Sequence, residues 1–308
     1  MPELDGVRVT LLGGDRREVE LARILYRLGA SLTLFGLPRP GELTRARAVA
    51  DGPSALVGAQ VVIAPMRGLD REGRIPTILV PDLPPVAFDQ RLVDELKPNT
   101  LFLVGQLRPP LRERLEKRGL KVVELAHLDE VAILNSVPTA EGAIQLAMEE
   151  LPITLHGAQA VVLGAGRCGL TLAQKLAALS ASVTVVEPRP ERQARAAALG
   201  CRAVPPEQMV EVCAAAPVIF NTVPAPVLDR ALLERLQPET LIIDIASEPG
   251  GTDFEAARRL GLKAILAVGL PGKVAPTSAG RILGQVIPRL IRDHLAGQVA
   301  QPAEEVHP

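Results

Sequence analysis

Ala160-Val161-Val162-Leu163-Gly164-Ala165-Gly166-Arg167-Cys168-Gly169 is the stretch from which the fold of this chain is read. Four apolar residues form a buried strand, and the glycine loop leaving it opens a helix. In such a turn Gly164 permits the sharp bend, Gly166 lets backbone approach a pyrophosphate, and Gly169 lets the helix pack closely on the strand. The N–H groups of Ala165, Arg167 and Cys168 at the helix start are placed to hold phosphate charge. Glu187 ends the following strand, about 20 residues on, where a carboxylate accepts hydrogen bonds from an adenosine ribose. The predicted ligand is therefore a dinucleotide, NAD or NADP. Glu187 favours NAD by repelling a 2′-phosphate, whereas Arg189 and Arg192 suit that phosphate or form a solvated helix start, so the choice stays open.

Around this turn, short apolar runs alternate with helical segments twice over, the pattern of a parallel sheet covered by helices. The second half continues with strands at 183–186, 217–220, 241–245 and 264–267, a short edge strand at 201–204, and helices beginning near 167, 190, 228 and 253. The first half carries strands at Val7–Leu12, Ser31–Phe35, Val61–Ile63, Thr77–Val80, Leu101–Val104 and Lys121–Val123, with helices at 16–28, 89–96 and 110–118. Ser136-Val137-Pro138-Thr139-Ala140-Glu141-Gly142 announces a long helix, because proline suits a first turn and Glu141 complements the helix dipole there. A last helix spans about Thr277 to His294, ahead of a frayed tail with Pro302 and Pro308.

The predicted fold is α/β, with two doubly wound parallel-sheet domains joined by long linker helices. The first, 1–134, is a flavodoxin-like substrate-side domain. A linker helix at 135–151 leads to a Rossmann NAD(P)-binding domain at 152–276. The helix at 277–297 crosses back to the first domain, and 298–308 form the tail.

Composition narrows the partners. With 34 basic and 35 acidic residues in 308, the chain lacks the basic footprint of a nucleic-acid binder, and a small-molecule partner is expected. Its apolar runs are too short to span a bilayer, and Met1-Pro2-Glu3-Leu4-Asp5 has no secretory character, which predicts a cytoplasmic protein. Cys168, Cys201 and Cys213 form neither a disulfide framework nor a metal site. Cys168 reads as a small residue facing the helix. His127, His156, His294 and His307 enter no triad, so no catalytic residue is identified and no metal is expected.

Loops after strands are where ligands gather in open α/β folds. Asn221-Thr222-Val223-Pro224 is either a border to the cofactor ribose or a plain turn. In Asp244-Ile245-Ala246-Ser247-Glu248-Pro249-Gly250-Gly251-Thr252-Asp253, the backbone at Gly250, Gly251 and Thr252 is a candidate for close approach to a ring, with Asp253 as a helix cap. Lys273 in Gly269–Pro276 is a candidate point charge for a substrate carboxylate. In the first domain Gly13-Gly14-Asp15-Arg16-Arg17 is a second, incomplete glycine turn in which Arg16 suits an anion. Asn135, Ser136 and Thr139 are candidate donors at the long helix.

Taken together, Gly13–Arg16, Asn135–Gly142, the dinucleotide loop, Ala246–Phe254 and Gly269–Pro276 resemble the A-subunit family of dipicolinate synthases along the whole chain. The resemblance implies an NADPH-type dehydrogenase component of a spore-forming bacterium's mother cell. Its implied reaction is oxidation of a dihydrodipicolinate-type compound, derived from 4-hydroxy-tetrahydrodipicolinate of the lysine branch, to dipicolinate. The implied partner is a flavoprotein-like B subunit, with which a homo-oligomer of this chain is compatible. The substrate would then be a cyclic dicarboxylate held by Arg16, Lys273, Ser136, Thr139 and the backbone at 250–252. Other readings of the same residues are a related dehydrogenase of a 2-hydroxy or amino acid and a non-catalytic dinucleotide-sensing protein.

Overall fold

The computed structural model describes residues 3–70, 72–247 and 250–299. Glu248 and Pro249 of the expected loop, and Pro302, His307 and Pro308 of the expected tail, lie outside the described residues. The chain forms two compact units, the first running to Ala132 and resuming at Pro276, the second spanning Ile133–Ala275.

Unit one contains β1 (Arg8–Leu12), α1 (Arg16–Arg27), β2 (Ser31–Phe35), β3 (Arg47–Val49), α2 (Gly52–Leu56), β4 (Val61–Ile63), β5 (Arg74–Ile75), β6 (Val86–Ala87), α3 (Gln90–Asp94), β7 (Leu101–Val104), α4 (Pro109–Lys117) and β8 (Lys121–Glu124). Helix α5 (Asp129–Glu150) continues into unit two. There follow β9 (Gln159–Leu163), α6 (Arg167–Ala178), β10 (Ser182–Val186), α7 (Pro190–Ala198), β11 (Arg202–Val204), α8 (Met209–Ala214), β12 (Val218–Asn221), α9 (Arg230–Leu233), β13 (Leu241–Asp244), α10 (Phe254–Arg259), β14 (Lys263–Leu266) and α11 (Leu270–Val274). Helix α12 (Pro276–Val299) completes unit one.

Each unit is built on a six-stranded parallel sheet, β3-β2-β1-β4-β7-β8 in the first and β11-β10-β9-β12-β13-β14 in the second. The two-residue strands β5 and β6 pair antiparallel outside the main sheet. Strand periodicity explains the layers. Along β1, β4 and β7, Val9, Leu11, Val61, Ile63, Leu101 and Leu103 face one core with α1 and α12, whereas Leu12, Val62, Phe102 and Val104 face the other. Unit two repeats the scheme, with Ala160, Val162, Phe220 and Ile243 on the face covered by α5 and α6, and Val161, Ile219 and Ile242 on the face of α8, α9 and α10.

Three expectations are corrected. Unit one has the strand order 3-2-1-4-5-6 of a dinucleotide-binding fold, not the 2-1-3-4-5 order of a flavodoxin. The strand that makes the difference, β3, is a half-exposed edge of three residues with little apolar signal. Thr77–Val80 is a turn, closed by Val80 N–H to Thr77 O at 2.9 Å and by Thr77 Oγ1 to Leu83 O at 2.6 Å, so its β-branched residues cap a loop rather than enter a sheet. Helix α5 begins at Asp129, with Asp129 and Glu130 as its acidic first turn, and Pro138 lies inside it. Pro138 lacks the N–H that would reach Leu134 O, and the hydroxyls beside it bond the two flanking carbonyls, Ser136 Oγ donating to Ile133 O at 2.6 Å and Thr139 Oγ1 to Asn135 O at 2.7 Å.

Candidate functional site

In unit two the strand order reverses between β9 and β12, and the crevice beyond their carboxyl ends is where open α/β sheets take ligands. The three loop glycines occupy three different environments there. Gly164 has φ 92°, and a Cβ on it would lie 2.7 Å from Thr222 Oγ1. A Cβ on Gly169 would lie 2.0 Å from Gly164 O, so this glycine is what lets α6 pack against the end of β9. A Cβ on Gly166 would meet nothing within 4 Å. Among the described residues nothing fills the space above Gly166 and no side chain caps α6. The N–H groups that point out of its first turn, with the positive end of the helix dipole, suit a pyrophosphate.

The loop is held from behind. Glu187 is buried, and its carboxylate accepts from Ala165 N–H at 2.8 Å and from Arg189 N–H at 3.2 Å. Gln193 Nε2 donates to the Glu187 carbonyl at 2.6 Å, and Arg192 lies 3.9 Å from the carboxylate. Thus Glu187 ties the end of β10 to the glycine loop, while Arg189 is exposed beside it. Cys168 stays a thiol: burial raises its pKa, outweighing the nearby Arg167 charge.

The loops after β12 and β13 interlock. Asn221 is fully buried and turned onto the backbone of Val223, donating to its carbonyl at 3.1 Å and accepting from its N–H at 3.0 Å. Thr222 Oγ1 donates to Leu163 O at 2.8 Å. Asp244, fully buried at the end of β13, accepts from Ala246 N–H at 3.0 Å, Gly251 N–H at 2.8 Å and Thr252 Oγ1 at 2.7 Å. Gly251 is pressed against this knot, since a Cβ there would lie 2.4 Å from Ala225 O. Asp253 caps α10 through Ala256 N–H at 2.8 Å.

Several predicted substrate donors are therefore already engaged. Gly250 N–H donates to Ser247 O, and the Gly251 and Thr252 donors go to Asp244. Ser136 is fully buried, with its hydroxyl on Ile133 O and 2.7 Å from Thr171 Oγ1, so it serves packing of α5 on α6. The Thr139 hydroxyl is spent on Asn135 O, and Asn135 Oδ1 is buried with no partner. Lys273 is exposed on α11.

In unit one the incomplete glycine turn is closed rather than open. A Cβ on Gly13 would lie 2.2 Å from Pro76 O, and one on Gly14 would lie 2.5 Å from Glu18 Oε2. Asp15 caps α1, Glu18 completes the capping box, and Arg17 is paired with Asp15 at 2.8 Å. Burial pushes the Asp15 carboxyl up, but the Arg17 hydrogen bond and charge win and hold it below the ordinary carboxylate value. Burial raises Glu18 despite the Arg17 charge. Arg16 alone of this group is exposed.

Residues 8–126 match the family model of the N-terminal domain of the dipicolinate synthase A subunit. The A subunit of dipicolinate synthase from Bacillus subtilis (strain 168) is 34% identical over 291 residues, covering 94% of this chain and 97% of that protein. The chain belongs to the dipicolinate synthase A-subunit family. The crystal structure of the Bacillus halodurans A subunit superposes with a TM-score of 0.88 at 33% identity, over 97% of this chain and 99% of that one. Residues 138–301 match the alanine dehydrogenase/PNT C-terminal domain, a dinucleotide-binding fold. A transhydrogenase from Sinorhizobium meliloti shares the fold alone, at a TM-score of 0.67 and 16% identity over 93% of this chain and 94% of that one.

Two carboxylates that organise these turns are absent from the predicted site residues. Asp244 braces the loop after β13, and Glu18 braces unit one's turn. A carboxylate ending a wholly apolar strand marks Asp244. Nothing local marks Glu18, whose second partner, Met66 N–H at 2.8 Å, is 48 residues away. Among the described residues no group of three or more His, Cys, Asp or Glu side chains is placed to hold a metal ion, and no helix is long and apolar enough to cross a membrane.

Proposed function

We propose that this family member is an NAD(P)-dependent oxidoreductase that converts a dihydrodipicolinate-type ring to dipicolinate, working with a flavoprotein-like B subunit in the mother cell during sporulation. The observation that carries the reading is the uncapped start of α6 under an open Gly166 in a chain of this family. The N–H groups of Gly166, Arg167 and Cys168 hold the pyrophosphate, and Gly164 and Gly169 set the turn. Glu187 fixes the loop, and Thr222 and Val223 border the ribose on the nicotinamide side. When bound, the nicotinamide supplies the hydride acceptor.

The chain's own contribution is orientation. Loss of hydride and a proton makes the ring aromatic, so the driving force resides in the substrate and the protein has chiefly to place the ring carbon against its acceptor. Glu187 and Asp244 are both consumed by backbone and hydroxyl donors, so neither serves as proton acceptor in this arrangement. Arg189 and Arg192, beside the adenosine end, decide between NAD and NADP. In this reading substrate is assigned to unit one and the dinucleotide to unit two.

The test uses purified chain alone with dihydrodipicolinate and each oxidised cofactor, following dipicolinate absorbance. Turnover with one or both supports the reading. Dinucleotide binding without turnover, restored only by adding the B subunit, marks a sensing or scaffolding protein instead.

A further inference from the structure

In unit one the strand order reverses between β1 and β4, so the crevice of that sheet lies between the loops that follow those strands. Among the described residues of these loops, Arg16 after β1 and Arg67 after β4 are exposed arginines. Neither guanidinium has a hydrogen-bond or ion-pair partner among the described residues. Arg16 is the first residue of α1, where a cation opposes the helix dipole. Its neighbour Arg17 is compensated by Asp15, but Arg16 is not. A cation kept at such a position calls for an anion from outside.

The two loops are joined by one side chain. Glu18 Oε2 accepts from Asp15 N–H at 2.8 Å and Glu18 Oε1 accepts from Met66 N–H at 2.8 Å. The residues bonded to it are those immediately before Arg16 and Arg67, so a single buried carboxylate ties together the two stretches of backbone from which these arginines leave. Arg67 sits in the turn Pro65–Gly68, closed by Gly68 N–H to Pro65 O at 2.8 Å. That turn rests on Gly105, where a Cβ would lie 1.7 Å from Met66 O. The backbone of this turn is closely packed, and the Arg67 side chain is exposed beside it.

We propose that Arg16 and Arg67 form a clamp for the two carboxylates of the substrate ring, with Glu18 as the positioning residue that fixes their separation. The inference rests on the dicarboxylate reading above and adds Arg67 and Glu18 to it. Two guanidiniums each offer paired N–H donors in the geometry a carboxylate accepts, which distinguishes a dicarboxylate from a monocarboxylate.

The test is calorimetric titration of the full chain, saturated with oxidised dinucleotide, using dipicolinate and the monocarboxylate picolinate as probes. Wild type should prefer dipicolinate. Arg16→Gln and Arg67→Gln should each bind dipicolinate about 10- to 100-fold more weakly, the loss of one charge-assisted contact. Both variants should lose the preference over picolinate while dinucleotide affinity is unchanged. Glu18→Gln, which can no longer accept from both N–H groups, should reduce the dipicolinate-to-picolinate ratio with both arginines present. A merely structural role would lower stability and leave the ratio alone. Retention of the preference in both arginine variants overturns the clamp and leaves the dicarboxylate reading standing. Absence of dipicolinate binding to wild type overturns both.

Discussion

Replacing Gly169 and Gly166 separately by alanine distinguishes a packing glycine from a ligand-facing one within a single loop. At Gly169 the new methyl would lie 2.0 Å from Gly164 O, well short of ordinary contact at 3.4 Å. Backbone lies on both sides, so α6 must back away from β9 by more than an ångström. Overpacking of this kind costs about 1–3 kcal/mol, against which alanine's better helix propensity returns roughly 1 kcal/mol. A net loss of up to about 2 kcal/mol lowers the melting temperature by up to roughly 8 °C in a chain of this size. At Gly166 the backbone is ordinary, with φ −79°, and the methyl meets nothing within 4 Å. Its cost is confined to N-cap preference, under about 1 kcal/mol. It does, however, enter the space assigned to the pyrophosphate, so dinucleotide affinity should fall roughly tenfold or more, ~1.4 kcal/mol at least. Thermal unfolding by circular dichroism and calorimetric titration with NAD and NADP measure the two effects. A Gly166→Ala chain that melts as low as Gly169→Ala and binds dinucleotide like wild type refutes the assignment of the loop.

Two further outcomes follow from buried groups. Asp244→Asn exchanges one acceptor oxygen for a donor that must face Gly251 N–H and Thr252 Oγ1, or Ala246 N–H. Urea unfolding should show a loss of about 2–3 kcal/mol, and an unchanged midpoint contradicts the role given to the carboxylate. The Cys213 thiol is pushed up by burial from 9.0 to about 12, so between those pH values the folded chain keeps a proton that the unfolded chain releases. Its contribution is complete below pH 9 and is lost as pH rises toward 12, with a slope of up to ~1.4 kcal/mol per pH unit. Cys213→Ala should flatten the fall in stability over that interval, and an identical slope in both proteins counts against it.

What could be read in the sequence was whatever the chain decides locally. The β-branched runs at Val61–Ile63 and Ala160–Leu163 bury both faces wherever they pair, and both are strands. The spacing of Gly164, Gly166 and Gly169 records steric demands confined to one turn, and the positive φ of Gly164 and the close packing at Gly169 follow from that turn alone. Asp253, with an acceptor side chain just before a helix, announced its cap in the same way.

Other features depended on groups far apart in the chain. β3 has too little apolar surface to show itself as a strand, and pairing with β2 alone makes it one. Ser136 and Thr139 resemble exposed donors until the neighbouring turns and α6 consume their hydroxyls. Glu187 was expected to face a ribose, but its carboxylate reaches back 22 residues to Ala165. Glu18 acquires its meaning only when β4 brings Met66 to its second oxygen. The glycine turn of this family member is thus determined by its own sequence, because steric exclusion acts over a few bonds. The carboxylates that brace the turns were decided by tertiary structure, because a buried charge goes to whichever unpaired donors the fold brings within reach.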